Sequence, residues 1–61
     1  MWFLRAVEVA DGGWVCRHGL TEFDTHHELR EALEHLRHLA QDIAPSILLV
    51  HRLDGTVEQV E

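Results

Sequence analysis

The first eighteen residues alternate between strand-like and turn-like composition. Residues 2–10 and 14–18 are rich in aromatic and β-branched side chains, which is typical of β-strands. Between them, residues 11–13 read Asp-Gly-Gly, a sequence that favours a tight turn because glycine reaches positive φ without a steric penalty. We therefore predict an N-terminal β-hairpin.

The middle of the chain has the spacing of an amphipathic helix. Thr25 and Glu28 fit a capping box, and Pro45 cannot continue a helix, so we predict a helix over about 26–43 after a connection at 19–24. Apolar residues recur every three or four positions, which places them on one stripe. They are Leu29, Ala32, Leu33, Leu36, Leu39, Ala40 and Ile43.

The last third predicts a second hairpin, with strands at 47–53 and 56–60 around an Asp54-Gly55 turn. The order ββαββ indicates an α+β fold. We expect one domain, 1–61, in which a helix packs on one face of a four-stranded, mostly antiparallel sheet.

The predicted strands carry apolar residues on both sides. Ile47 and Leu49 point opposite to Leu48 and Val50, and the first strand is apolar on both sides in the same way. One helix shelters only one face of a small sheet, and exposed apolar patches usually mark an interface. We expect another protein chain to cover the second face, the alternative being the termini or the 19–24 connection.

The expected partner-binding residues combine apolar anchors with strand arginines, and which face carries them depends on the strand register. They are Trp2, Trp14, Leu48, Val50, Arg5, Arg17 and Arg52. Arginines beside aromatic residues on an open sheet can also bind single-stranded RNA.

Charge and cysteine content narrow the choice of partner. The formal net charge is −6, which makes nucleic acid an unfavourable partner. Cys16 is the single cysteine, so no internal disulfide forms. The apolar run at the start of the chain is too short for a signal peptide or a membrane span. We expect a cytoplasmic location, with a homodimer or a larger complex as the assembly.

Six histidines raise the question of a metal site. His35 and His38, each preceded by a glutamate one turn earlier, have helical metal-ligand spacing, but His38 and the glutamates Glu31 and Glu34 lie opposite the leucine stripe. We interpret them as a solvated polar face. Cys16 and His18 lack an orienting third group, so we expect no catalytic residue, metal or cofactor.

Three motifs together resemble a family of very small bacterial domains of unknown function. They are Asp11-Gly-Gly-Trp14-x-Cys16, Phe23-x-Thr25-x-x-Glu28, and Val50-His51-Arg52-Leu53-Asp54-Gly55. The resemblance covers nearly the whole chain, implies a ββαββ fold and a bacterial or phage source, and brings no activity. Cys16 and Leu29 stand where that family favours valine and alanine.

The Asp-Gly-Gly-aromatic and Thr-x-x-Glu motifs are also similar to those of HicB-type antitoxins. That resemblance implies an acidic, dimeric inhibitor of a basic partner protein. Our first expectation is a non-enzymatic protein-binding module that acts as an accessory or regulatory subunit. An antitoxin-like inhibitor and a single-stranded nucleic-acid binder are the alternatives, and a metal-dependent enzyme comes last.

Overall fold

The computed structural model describes residues 1–60, so Glu61 of the predicted domain lies outside the described residues. The elements follow one another as β1 (Trp2–Glu8), β2 (Trp14–His18), β3 (Thr21–His26), α1 (Leu29–Asp42), β4 (Ser46–His51) and β5 (Val57–Gln59). The α+β class, with one helix, is confirmed.

The strands form one mixed sheet in the order β3-β2-β1-β4-β5. β1, β2 and β3 are an antiparallel meander, whereas α1 carries the chain back across the sheet to the free side of β1. Because the helix reverses the chain direction once, β4 runs parallel to β1, and β5 then pairs antiparallel with β4.

The prediction of four strands is wrong by one, since residues 21–26 form a strand rather than a connection. β3 is an edge strand with Phe23 as its one large apolar side chain, and threonines and acidic residues make up most of the rest. Polar side chains are common on edge strands because they discourage pairing with other chains. An apolar pattern therefore cannot reveal this strand.

The predicted capping box is also wrong. Thr25 lies within β3, and the helix N-cap is Glu28, which makes no side-chain capping hydrogen bond. The backbone of Glu28 is extended, at φ −121° and ψ 142°, so the helix begins at Leu29, three residues later than predicted. The predicted hairpin turns are present, with Gly12 and Gly55 at φ +94° and +91°.

The core lies between α1 and one face of the sheet. In β1 and β4 the buried side chains are even-numbered, because alternate residues of a strand point to the same side. The buried apolar residues are Leu4, Ala6, Trp14, Cys16, Ala32, Leu36, Leu48 and Val50. We call this side of the sheet the covered face.

Candidate functional site

The other side of the sheet, which we call the open face, is also apolar. The register places odd-numbered residues of β1, β2 and β4 there, paired across neighbouring strands. Its apolar members are Phe3, Val7, Val15, Ile47, Leu49 and Val57. Phe3 and Val57 are 43% and 56% exposed, and α1 packs on the opposite side.

Arg5 and Arg17 lie at the middle of the open face. They are direct register partners on β1 and β2, so two positive charges sit opposite each other on adjacent strands. The guanidinium of Arg5 lies 5.9 Å from the centre of the Phe3 ring, and Arg17 Nε donates a hydrogen bond to the Gly19 carbonyl oxygen at 3.3 Å. Glu22 on β3 is the register partner of Arg17 on its other side, so these three side chains together keep a net positive charge that attracts a further anionic group.

Three of the predicted anchors lie on the covered face instead. Trp14, Leu48 and Val50 are only 8%, 1% and 1% exposed. Both sets of alternate residues in β4 are apolar, and the structure buries the even-numbered one beneath α1. Ile47 and Leu49, rather than Leu48 and Val50, are therefore the apolar β4 residues of the open face.

Trp2 and Arg52 lie at the ends of strands rather than at the middle of either face. The Trp2 and His18 rings are in contact, with ring centres 4.5 Å apart and planes tilted by 42°. The Arg52 guanidinium lies 5.8 Å from the centre of the Trp14 ring and pairs with Glu58 at 3.3 Å. Of the predicted partner-binding residues, only Arg5 and Arg17 lie on the open face.

A second feature lies on the covered face, at its β3 edge. Cys16 on β2, Asp24 and His26 on β3, and His35 on α1 point toward one another, and we call them the edge cluster. One ligand atom from each residue lies within 4.8 Å of the ligand atoms of the others. Cys16 is fully buried, while the other three side chains are between 23% and 37% exposed.

Asp24 Oδ2 is the centre of this cluster. It lies 2.9 Å from His26 Nε2 and 2.8 Å from His35 Nδ1. The contact with His26 has hydrogen-bond geometry, whereas that with His35 is short but lacks it, so His35 Nδ1 is buried without a hydrogen-bond partner. Asp24 Oδ1 is buried and unpartnered too. The cluster thus contains two buried polar atoms that make no hydrogen bond.

The thiol of Cys16 is held in its neutral form. Burial, with a smaller contribution from the nearby Asp24 carboxylate, raises the pKa of the Cys16 thiol to about 12. The sulfur lies 3.5 Å from the carbonyl oxygen of Ala32, to which the thiol donates. A buried, protonated thiol is a poor nucleophile.

The predicted neighbours of His35 differ from those in the structure. His38, Glu31 and Glu34 are exposed, and His35 turns instead toward Asp24 and His26. The useful signal was Asp24-x-His26, because residues two apart on a strand share a face. The Asp24-x-His26 spacing indicates a shared face only if residues 21–26 are predicted to form a strand.

In the described part of the chain, no helix has the length and apolar character needed to cross a membrane. Comparison of the chain with models of protein families, with curated proteins and with solved structures found no match.

Proposed function

We propose that this chain is a non-enzymatic docking module whose open face binds a larger protein. The observation that carries the proposal is an apolar sheet face with two opposed arginines at its centre, over which residues 1–60 place no helix. The partner surface that fits is apolar and carries a carboxylate at the position of Arg5 and Arg17. An accessory or regulatory subunit has this kind of surface.

The size of the open face supports this proposal. Five strands spaced about 4.8 Å apart give a face roughly 20 Å across. This is the scale of a small to standard protein interface, which buries about 800 Å² per partner. At about 25 cal/mol per Å², covering even part of the apolar area contributes several kcal/mol to binding.

The charges favour a different protein over a second copy. Two identical open faces, packed about a two-fold axis near their centres, would bring together the Arg5 and Arg17 of both chains. Four guanidinium groups would then be partly desolvated with one Glu22 carboxylate per chain beside them, opposite Arg17 on β3, so a net positive charge would be buried, which is costly. A partner carboxylate can accept hydrogen bonds from both arginines and relieve the repulsion that they have in the free chain.

A single-stranded nucleic acid is the second candidate. Arg5 next to Phe3 on an open sheet is an arrangement that can stack a base and hold a phosphate. The net charge of −6 weakens it. Binding of an oligonucleotide at low salt, lost on substitution of Arg5 and Arg17, would replace the docking proposal.

The test begins with sedimentation of the purified chain. We expect the purified chain to be a monomer. If it is instead a dimer, and Leu49→Glu abolishes that dimer, then a second copy occupies the open face. The immobilised chain is then used for capture from the lysate of its host, beside Leu49→Glu, Arg5→Glu and the helix-surface control Glu34→Lys. We expect both open-face variants to lose a protein that the control retains.

Charge reversal identifies the contact on the captured protein. Replacing its interface carboxylate by arginine should weaken binding to the wild-type chain at least about tenfold and restore binding to Arg5→Glu, as expected for a direct ion pair. The docking proposal fails if no captured protein depends on Leu49, or if Glu34→Lys weakens capture as much as the open-face variants do.

A further inference from the structure

We propose that the edge cluster is a binding site for one divalent transition-metal ion, with zinc as the preferred metal. Cys16, Asp24, His26 and His35 would be its four ligands. The site lies on the covered face, away from the open face, so this inference is independent of the docking proposal.

The donor set has the chemistry of a zinc site. One thiolate, one carboxylate and two imidazoles are the three ligand types that zinc accepts in proteins, and four protein ligands are typical of structural sites. The set carries two negative charges when the thiol is ionised and the imidazoles are neutral, which balances a divalent cation. A set of oxygen ligands alone would favour magnesium or calcium instead.

The positions of the ligand atoms suit a tetrahedral ion. Adjacent oxygen and nitrogen ligands around tetrahedral zinc lie about 3.3 Å apart, given metal–ligand distances of about 2.0–2.1 Å. The Asp24–His26 and Asp24–His35 distances are 2.9 and 2.8 Å, and all four atoms lie within 4.8 Å of one another. Binding an ion requires the two Asp24 contacts to open by a few tenths of an ångström and the most widely separated ligand atoms to close by about 1 Å, and the three partly exposed side chains have room for these shifts.

The unpaired atoms of the cluster indicate that it lacks a component. Asp24 Oδ1 is buried without a hydrogen-bond partner, and His35 Nδ1 is buried with a 2.8 Å contact to Asp24 Oδ2 that lacks hydrogen-bond geometry, an arrangement that destabilises a folded protein. A metal ion bound to His35 Nδ1 and Asp24 Oδ2 gives the imidazole nitrogen its partner. It also supplies the positive charge that a thiolate and a carboxylate need when they share one site.

The elements that supply the ligands explain what the ion would do. The site joins the central strand β2, the edge strand β3 and helix α1 at one point. β3 contributes no side chain to the buried apolar core, so little else anchors it to α1. Domains of this length commonly need a metal, a disulfide or association for stability, and Cys16 has no cysteine partner. The ion would therefore stabilise the fold by linking β2, β3 and α1.

The experiment uses the purified chain after removal of metals by a chelator. Titration with Co²⁺ should produce a thiolate-to-cobalt charge-transfer band and intense visible d–d bands, both saturating at one ion per chain, and Zn²⁺ should abolish them. Zinc in excess of its dissociation constant should raise the Tm by about 10 °C or more. Weak d–d bands without the charge-transfer band would overturn the proposal.

Matched variants locate the ligands. His35→Ala should weaken zinc binding about 100-fold or more, whereas His38→Ala, one turn further along the same helix, should change it less than about twofold. Alanine is a good helix former, so both variants should fold in the absence of metal, which far-ultraviolet circular dichroism verifies.

Cys16→Ser should remove the charge-transfer band. Equal loss of affinity in His35→Ala and His38→Ala would assign the metal to scattered surface histidines and overturn the proposal. Retention of the charge-transfer band in Cys16→Ser would also overturn the proposal. If Cys16→Ser does not fold, the cobalt spectrum of the wild type and the comparison of His35→Ala with His38→Ala still test whether the edge cluster binds the metal.

Discussion

The two faces of the sheet have similar apolar side chains and very different surroundings. On the covered face, Leu4, Leu48 and Val50 are at most 1% exposed because α1 packs over them. On the open face, Phe3 and Val57 remain 43% and 56% exposed. Composition alone therefore does not determine whether a strand residue belongs to the core, since the helix covers one face and leaves the other uncovered.

The largest expected effect comes from placing the same charge on either face of β4. Val50→Glu buries an unpaired carboxylate beneath α1, and we expect a loss of about 4 kcal/mol or more, enough to unfold a domain of marginal stability. Leu49→Glu, one residue earlier on the open face, should cost about 1 kcal/mol or less. Urea unfolding followed by circular dichroism measures both, and comparable losses would contradict the distinction between the faces.

The next effect tests the helix that covers the core. Leu36 is fully buried, and Leu36→Ala should reduce the free energy of unfolding by about 3 kcal/mol through lost contacts and a residual cavity. Leu20 is 96% exposed, so Leu20→Ala serves as a control that should change stability by less than about 0.5 kcal/mol. A small loss for Leu36→Ala would mean that α1 is not firmly packed on the sheet.

A smaller effect is expected for the aromatic ring of the open face. Phe3→Ala removes a half-exposed ring and its contact with Arg5, which should cost about 1 kcal/mol. It should also lower the fluorescence of a hydrophobic dye bound to the purified chain, because Phe3 lies on the apolar surface that the dye would occupy. Unchanged dye fluorescence would indicate that the dye binds elsewhere.

The smallest effect comes from the turn between β4 and β5, outside both faces. The backbone N–H and the hydroxyl of Thr56 donate to Asp54 Oδ1, and they hold the pKa of the Asp54 carboxyl below its ordinary value of 3.8. A lowered pKa in the folded state stabilises the fold above the unfolded pKa, and this contribution is lost as the pH falls through the folded pKa. Melting curves of wild type and Asp54→Ala should therefore differ most near neutral pH and converge in acid, and divergence in acid would contradict this.

Much of the fold could be predicted because its signals are local. The leucine stripe identified α1, and glycine turns identified both hairpins, since those residues act within a few positions of themselves. β3 was missed because its side chains are mostly polar and its partner β2 lies on the other side of a turn. The parallel β1–β4 pair was missed for a similar reason, because it depends on where the helix returns the chain.

The prediction of two apolar faces came from the alternation in β1 and β4, and the register in the structure agrees with it. The choice of Leu48 and Val50 as anchors did not follow from the sequence, because neighbouring residues in β4 are equally apolar and only packing distinguishes them. The edge cluster was out of reach for another reason. Its ligands come from three elements, one of them the strand that the sequence did not reveal.

The most direct test of the account compares the solvent contact of neighbouring side chains in β4. A soluble paramagnetic agent added to methyl-labelled protein broadens the NMR signals of methyl groups that solvent reaches. We predict strong broadening for Ile47 and Leu49 and little for Leu48 and Val50, with protection of Ile47 and Leu49 once the captured partner is added. Equal protection of all four residues in the free monomer would contradict the existence of an open apolar face.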